Sequence, residues 1–298
     1  MKPSKGFRGS GVLGFWPEGN LRQVCASVLA IVVFLVASCQ KQPGVQPGLR
    51  VVSLVPSVTE IAYAVGAGKA LVGNTNQCDF PEAAKSVYKV GDFMSPDLER
   101  IVALRPGLVF LTLPIHQQLL AKLNEMKIPV YVSRPADIRA VFHEIDTVAR
   151  LLGRRASGES LMAVMRQRLD SVPAFADTPR VYIEISGTPL MTAGGGTFIN
   201  ELLERAGGRN VFKSSLQEYP VVDPEAVLRA DPQVILLLHP DMRAPDVAQR
   251  IGWGGISAVR QDRVYDQFDE DLFFRPGPRI VEGVVLLAKL LHPGQTGN

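Results

Sequence analysis

The sequence predicts an α/β protein of two lobes with parallel sheets, joined by a single long backbone helix, with its working cleft between the lobes. Three observations carry this. Short apolar runs and longer amphipathic runs alternate along the chain after residue 49, the grammar of parallel strands with helical crossovers. Residues 156–172 form an apolar stripe (Leu161, Val164/Met165, Leu169, Val172) opposite a charged face, and they stop against Pro173 midway between two blocks of similar length. Finally, the blocks share a register: Asp97, Glu99 and Pro106 match Asp223, Glu225 and Pro232 at a constant offset of 126, each set followed by an apolar strand.

In the first block, residues 50–55 read as a buried strand bounded by Pro56, with Ser57 or Thr59 capping a helix over 60–65. Residues 71–74 and 88–90 read as strands, and Asp97 caps a short helix that ends before Pro106. Residues 108–111 make the clearest buried strand; 115–126 are helical, 130–132 a strand and 138–152 a helix. In the second block 180–185, 234–238 and 263–265 read as strands. Residues 197–205, 224–230, 244–251 and 277–291 read as helices. Gly194-Gly-Gly196 before a helix has the form of an anion-binding turn, though a tight turn explains it equally well.

The chain has 298 residues, 46% hydrophobic and 20% charged, the balance of a globular protein with an ample core. Its net charge of +3 comes from the leader: without residues 1–38 there remain 28 bases and 28 acids. A neutral mature chain without a basic run argues against nucleic-acid binding. Residues 24–38 carry no charge over 15 positions, too short for a membrane span and right for a signal-peptide core, and they end at Cys39 after Leu35-Val-Ala-Ser38. That ending resembles a bacterial lipobox, in which the cysteine is lipidated. Residues 39–49 then form a flexible tether. Cys25 leaves with the leader and Cys39 takes lipid, so Cys78 remains alone and no internal disulfide forms. The expected organisation is a lipoprotein signal at 1–38, tether at 39–49, first lobe at 50–153, connecting helix at 154–173 and second lobe at 174–298.

Four runs carry a resemblance: Val51 to Glu60 (VVSLVPSVTE), Asp97 to Pro106 (DLERIVALRP), Phe198 to Phe212 (FINELLERAGGRNVF) and Pro276 to Ile280 (PGPRI). Together and in order they resemble the periplasmic substrate-binding proteins of ABC importers with a helical backbone, and within that superfamily most nearly the cobalamin-binding branch. The resemblance implies two Rossmann-like lobes that barely move and a shallow ligand cleft at the carboxyl ends of the strands. It also implies delivery to a membrane permease by a monomeric receptor in the periplasm or cell envelope, with no cofactor of its own. Carried over by position, Pro56, Ser57, Gln77, Phe93, Thr112, Tyr219, Leu272 and Arg275 would meet the ligand. Glu99 and Glu204 would dock the permease, one from each lobe. Gln77, Thr112 and Leu272 lack the aromatic character of the branch, which weakens cobalamin in particular; Phe273 or Phe274 could supply a lost ring.

His116 and His239 follow strand ends and could ligate haem iron or a bare transition metal from opposite lobes, or simply be loop histidines. An envelope enzyme on the same scaffold is disfavoured: there is no G-x-S-x-G, H-E-x-x-H or Walker loop. The expected function is capture of cobalamin or a related chelate (haem, iron–siderophore) or a transition metal. A periplasmic sensor using the same cleft is the third reading.

Overall fold

The computed structural model describes residues 48–295; the signal segment, Cys39 and most of the tether lie outside them. The first sheet has the order β2-β1-β3-β4, with β1 Val51–Ser53, β2 Leu71–Asn74, β3 Leu108–Thr112 and β4 Val130–Ser133, all pairs parallel. The second has the order β6-β5-β8-β9, with β5 Arg180–Gly187, β6 Leu190–Thr192, β8 Val234–Leu237 and β9 Val264–Tyr265; β7, Arg209–Asn210, also pairs with β5. Parallel pairing was expected throughout, but β6 runs antiparallel to β5. Only Thr188 and Pro189 separate the two strands, and a crossover to a parallel neighbour needs a dozen residues or more. Residues 88–90, expected as a strand, contribute one parallel bridge, Asn74 to Lys89.

Helices fill the crossovers: α1 Pro56–Ala64, α2 Leu98–Ala103, α3 Gln117–Glu125, α4 Ile138–Leu151, α5 Arg155–Asp170, α6 Phe198–Arg205 and α7 Pro224–Ala230. After α8 Ser257–Arg260 come a single turn, α9 Asp271–Phe274, and the closing helix α10 Ile280–Leu291. Asp97 and Thr197 cap α2 and α6 through their side chains. α1 starts earlier than expected. Pro56 occupies its first turn, where the missing N–H costs nothing, and no side chain caps it. Residues 244–251 form a 3-10 turn, Ala244–Gln249, rather than an α-helix.

Alternation along the strands divides the core into layers. Val51 and Phe110 face one way and Val52, Val109 and Leu111 the other; in the second sheet Val181, Ile183, Val234 and Leu236 oppose Tyr182, Ile235 and Leu237. The first-named faces of both sheets belong to one buried cluster, which also takes in Ile145 of α4, Met162, Met165 and Leu169 of α5, and Ile280, Val284 and Leu287 of α10. Each outer face has its own smaller cluster.

The connecting helix buries Gly158, Met162, Met165 and Leu169, while Val164, expected in the stripe, is exposed. The buried line follows a 3.6-residue period from Gly158, and that glycine is what lets α4 approach: a Cβ there would stand 2.5 Å from Ala149 Cβ. Gly158→Val should therefore force the helices apart and cost about 1–3 kcal/mol, read as a lower urea midpoint against wild type; an unchanged midpoint would show the contact to be yielding.

Candidate functional site

The carboxyl ends of β1, β3 and β4 open together, as crossover connections dictate, and α9 of the second lobe leans over them. The space between is a hollow of about 450 Å³. Larger hollows of about 530 and 610 Å³ lie against β9 and at the amino end of β5, away from the strand ends of the first sheet.

Six of the eight sequence-predicted ligand residues line this hollow. Pro56 and Ser57 come from the first turn of α1, Gln77 and Phe93 from the segments after β2, Thr112 from the end of β3, and Arg275 from just after α9. Gln77 accepts the Phe93 backbone N–H at 2.7 Å, so it holds the ring's backbone in place. Tyr219 is not among the lining residues. It is partly exposed in a segment that pairs with β6 and the following glycines through Pro220 and Glu218. Leu272 is in the core and does not face the hollow. On a single helical turn, Leu272 and Phe273 point inward while Asp271, Phe274 and Arg275 share the opposite side, so Phe274 takes the place expected of Leu272.

Of the two readings of the histidines, the geometry does not favour ligation. His116 is buried; its Nδ1 accepts the Thr112 N–H at 3.1 Å and its Nε2 donates to the Phe93 carbonyl at 2.6 Å. Burial lowers its pKa and keeps the ring neutral, as this bracket requires. The ring of Phe93 also meets it edge-on, centroids 5.4 Å apart. His239 accepts from the Asp241 N–H and donates to buried Glu184, which Arg250 grips with two bonds of 2.6 Å. With both nitrogens of each ring engaged inside separate lobes, neither presents a lone pair to a metal. No cluster of three or more His, Cys, Asp or Glu placed to hold a metal occurs among the described residues. Cys78 is fully buried.

Gly194-Gly-Gly196 serves packing. A Cβ on Gly194 would stand against Gln217 O and one on Gly195 against Lys213 O, each at 2.2 Å, so glycine admits two strands of backbone at once.

A network that crosses from one lobe to the other holds Arg275 in the wall of this hollow. Glu60 of α1, 3% exposed, receives Arg279 Nε and Nη2 at 3.0 and 2.9 Å and Arg275 Nη1 at 3.3 Å. Arg275 also reaches Asp79 and Asp271, each at 2.8 Å. Arg279 pairs with Asp269 at 2.6 Å and lies over the Phe80 ring at 4.0 Å. Burial raises the pKa of Glu60 although both arginines pull the other way. Asp79 is held low: its bond and charge attraction to Arg275 outweigh its partial burial. Sequence inspection found Arg275 here but not Glu60, Asp79 or Arg279, because no local pattern marks partners more than 190 residues apart.

The docking candidates differ in setting. Glu99 is exposed in the first turn of α2. Glu204 lies in the last turn of α6 and is paired with Lys213 at 2.6 Å. The residue related to Glu99 by the internal repeat is Glu225, exposed in the first turn of α7 and lining a hollow with Leu190, Leu228 and Ile251.

Two α/β lobes with a hollow at their junction define a class of binding protein, and comparison identifies it. The chain belongs to the periplasmic binding protein family, whose model matches residues 51–269. An ABC transporter substrate-binding lipoprotein of Bacillus subtilis is 32% identical over 82% of this chain and 80% of its own length. The vitamin B12-binding protein of Vibrio parahaemolyticus is 29% identical over 80% of this chain and 88% of its own. Among solved structures, the periplasmic heme-binding protein RhuT of Roseiflexus matches with a TM-score of 0.73 at 25% identity, covering 82% of this chain and 98% of that one. The vitamin B12-binding protein BtuF of Vibrio cholerae matches at 0.66 and 27%, covering 83% and 98%. These relatives are substrate-binding proteins of transporters rather than enzymes, and no described helix is long and apolar enough to cross a membrane.

Arg279→Met should cost about 3–5 kcal/mol by leaving Glu60 buried without its main partner. Because the folded carboxyl then titrates further above the unfolded value near 4.5, the native state takes up its proton first, and stability recovers as pH falls toward that value. Urea unfolding between pH 7 and pH 5 checks the sign; a deficit that grows on acidification would contradict the assignment.

Proposed function

We propose that this chain is a lipid-anchored, monomeric receptor of the cell envelope. It captures a metal chelate of the cobalamin, haem or siderophore kind in the hollow between its lobes and hands it to an ABC importer permease. One observation carries the reading: Pro56, Ser57, Gln77, Phe93, Thr112 and Arg275, scattered over more than 200 residues of sequence, line a single hollow to which both lobes contribute. The names of the relatives support the ligand class, B12 in one branch and haem in another. A flat, partly apolar guest needs ring and aliphatic platforms with few directed polar groups, and Phe93, Phe274, Ile115 and Pro56 supply them. The lipobox at Cys39 and the lipoprotein relative support anchoring.

For permease docking we replace the pair Glu99 and Glu204 with Glu99 and Glu225. The two are related by the repeat at an offset of 126, occupy the same turn of equivalent helices, and have no ion-pair partner among the described residues, whereas Lys213 occupies Glu204. Paired rim charges chiefly steer and orient a partner.

Titrating the purified protein with cyanocobalamin, ferric haem and ferric siderophores, read in the ligand's visible band, tests the function directly; saturable binding of none of them would refute it. Phe93→Ala should weaken the bound chelate by about 1–2 kcal/mol. In cells or vesicles carrying the cognate permease, Glu99→Lys with Glu225→Lys should abolish uptake and leave ligand affinity unchanged, while Glu204→Lys should transport normally. The reverse pattern would restore the earlier pair.

A further inference from the structure

The hollow has an uneven charge that its role as a chelate site does not require. Three charged side chains line it: Arg134, Arg275 and Asp271. Arg275 is consumed by Glu60, Asp79 and Asp271, and Asp271 by Arg275 in return. Arg134, directly after β4, is exposed at the rim and has no hydrogen bond or ion pair among the described residues. The lining is therefore net positive, through one cation that no described residue neutralises.

A second, independent feature faces the same space. α1 begins at this hollow without a side-chain cap, and the N–H of Ser57 in its first turn has no acceptor among the described residues. Ser57 itself lines the hollow, is only 2% exposed, and its hydroxyl has no partner among the described residues. The small surface Ser57 keeps opens on the hollow, where its hydroxyl can donate to a guest, and an uncapped helix start favours negative charge. The second lobe closes this corner: Gly277 approaches so tightly that a Cβ would lie 3.2 Å from Ser57 Cβ. Donors from the helix start, a free hydroxyl and an unpaired guanidinium are together the complement of a carboxylate, with Arg134 supplying the charge-assisted bonds.

We infer that the ligand presents a carboxylate to this corner, seated on Ser57 and the start of α1 with Arg134 as its counter-charge. The substrate class narrows accordingly to carboxylate-bearing metal chelates, such as a propionate-bearing porphyrin or a hydroxycarboxylate iron complex, and away from a corrinoid whose periphery is amidated. Asp271 opposes such a group, but its carboxylate is turned into Arg275 at 2.8 Å and stands on the far lobe. The inference rests on the chelate-receptor reading above, and the experiment separates the two.

Visible-band titrations of the full chain with ferric haem, its dimethyl ester, ferric citrate and cyanocobalamin, on wild type and on Arg134→Gln, Arg134→Lys and Ser57→Ala, test it. Haem should bind at least about tenfold tighter than its ester, or ferric citrate should bind where cyanocobalamin does not. Arg134→Gln should weaken the carboxylate probe by about tenfold and leave the ester and cyanocobalamin within about twofold. Arg134→Lys should recover most of the loss, and Ser57→Ala should weaken the same probe. Since Arg134 has no partner among the described residues, an unchanged thermal midpoint verifies that its variants are native, and the same measurement serves for Ser57→Ala. Equal binding of haem and its ester, or tight cyanocobalamin binding indifferent to Arg134, overturns the carboxylate while the receptor reading stands. Failure of all four probes refutes both.

Discussion

The pairing of buried Glu60 with Arg279 and Arg275 is the constraint on which the site depends. A carboxylate carried out of water costs several kcal/mol unless geometry and hydrogen bonds repay it. Here the repayment comes entirely from the opposite lobe. The first lobe cannot bury α1 in this way without the second in place, so the network specifies distance and orientation as well as contributing energy. Arg275 extends the same logic outward. One guanidinium touches α1 through Glu60, a first-lobe loop through Asp79 and its own helix through Asp271, so the wall of the hollow and the junction of the lobes are a single piece of electrostatics.

The bracket around His116 works similarly at smaller scale. A neutral imidazole ties the end of β3 to the segment bearing Phe93, and Gln77 holds the same segment from the other side. The aromatic platform is thus fixed before any guest arrives, which reduces what ordering would otherwise cost on binding. A rigid hollow with one unsatisfied corner reads as selection by a directed polar contact laid over a permissive apolar surface.

Most of the architecture was legible from periodicity. The apolar runs at residues 108–111 and 180–185, the cap at Asp97 and the stop before Pro173 each follow from local sequence. Failures occur where local pattern is silent. The antiparallel β6 is three residues long and hides behind Pro189; the stripe of α5 runs through Gly158, a residue that scores as a helix breaker but is present because Ala149 packs on it. In the site, positional likeness located Pro56, Ser57, Phe93 and Arg275. It misassigned Leu272 because a single turn of helix decides which neighbour faces out; for His116 and His239, which the sequence leaves between metal ligands and loop histidines, residue type says nothing of whether both nitrogens are already engaged. Glu225 was visible in the repeat itself, where it stands opposite Glu99.

The inner layer shared by both sheets has a consequence for how the chain is made. Met162, Met165 and Leu169 of the connecting helix share their buried cluster with Ile280, Val284 and Leu287 of α10, which packs against that helix near the end of the chain. A nascent polypeptide that has emerged as far as the connecting helix therefore still displays an uncovered greasy plane, sealed only when the final dozen residues arrive. Such a chain completes its shared inner layer only near the end of synthesis, and until then it exposes apolar surface that invites aggregation.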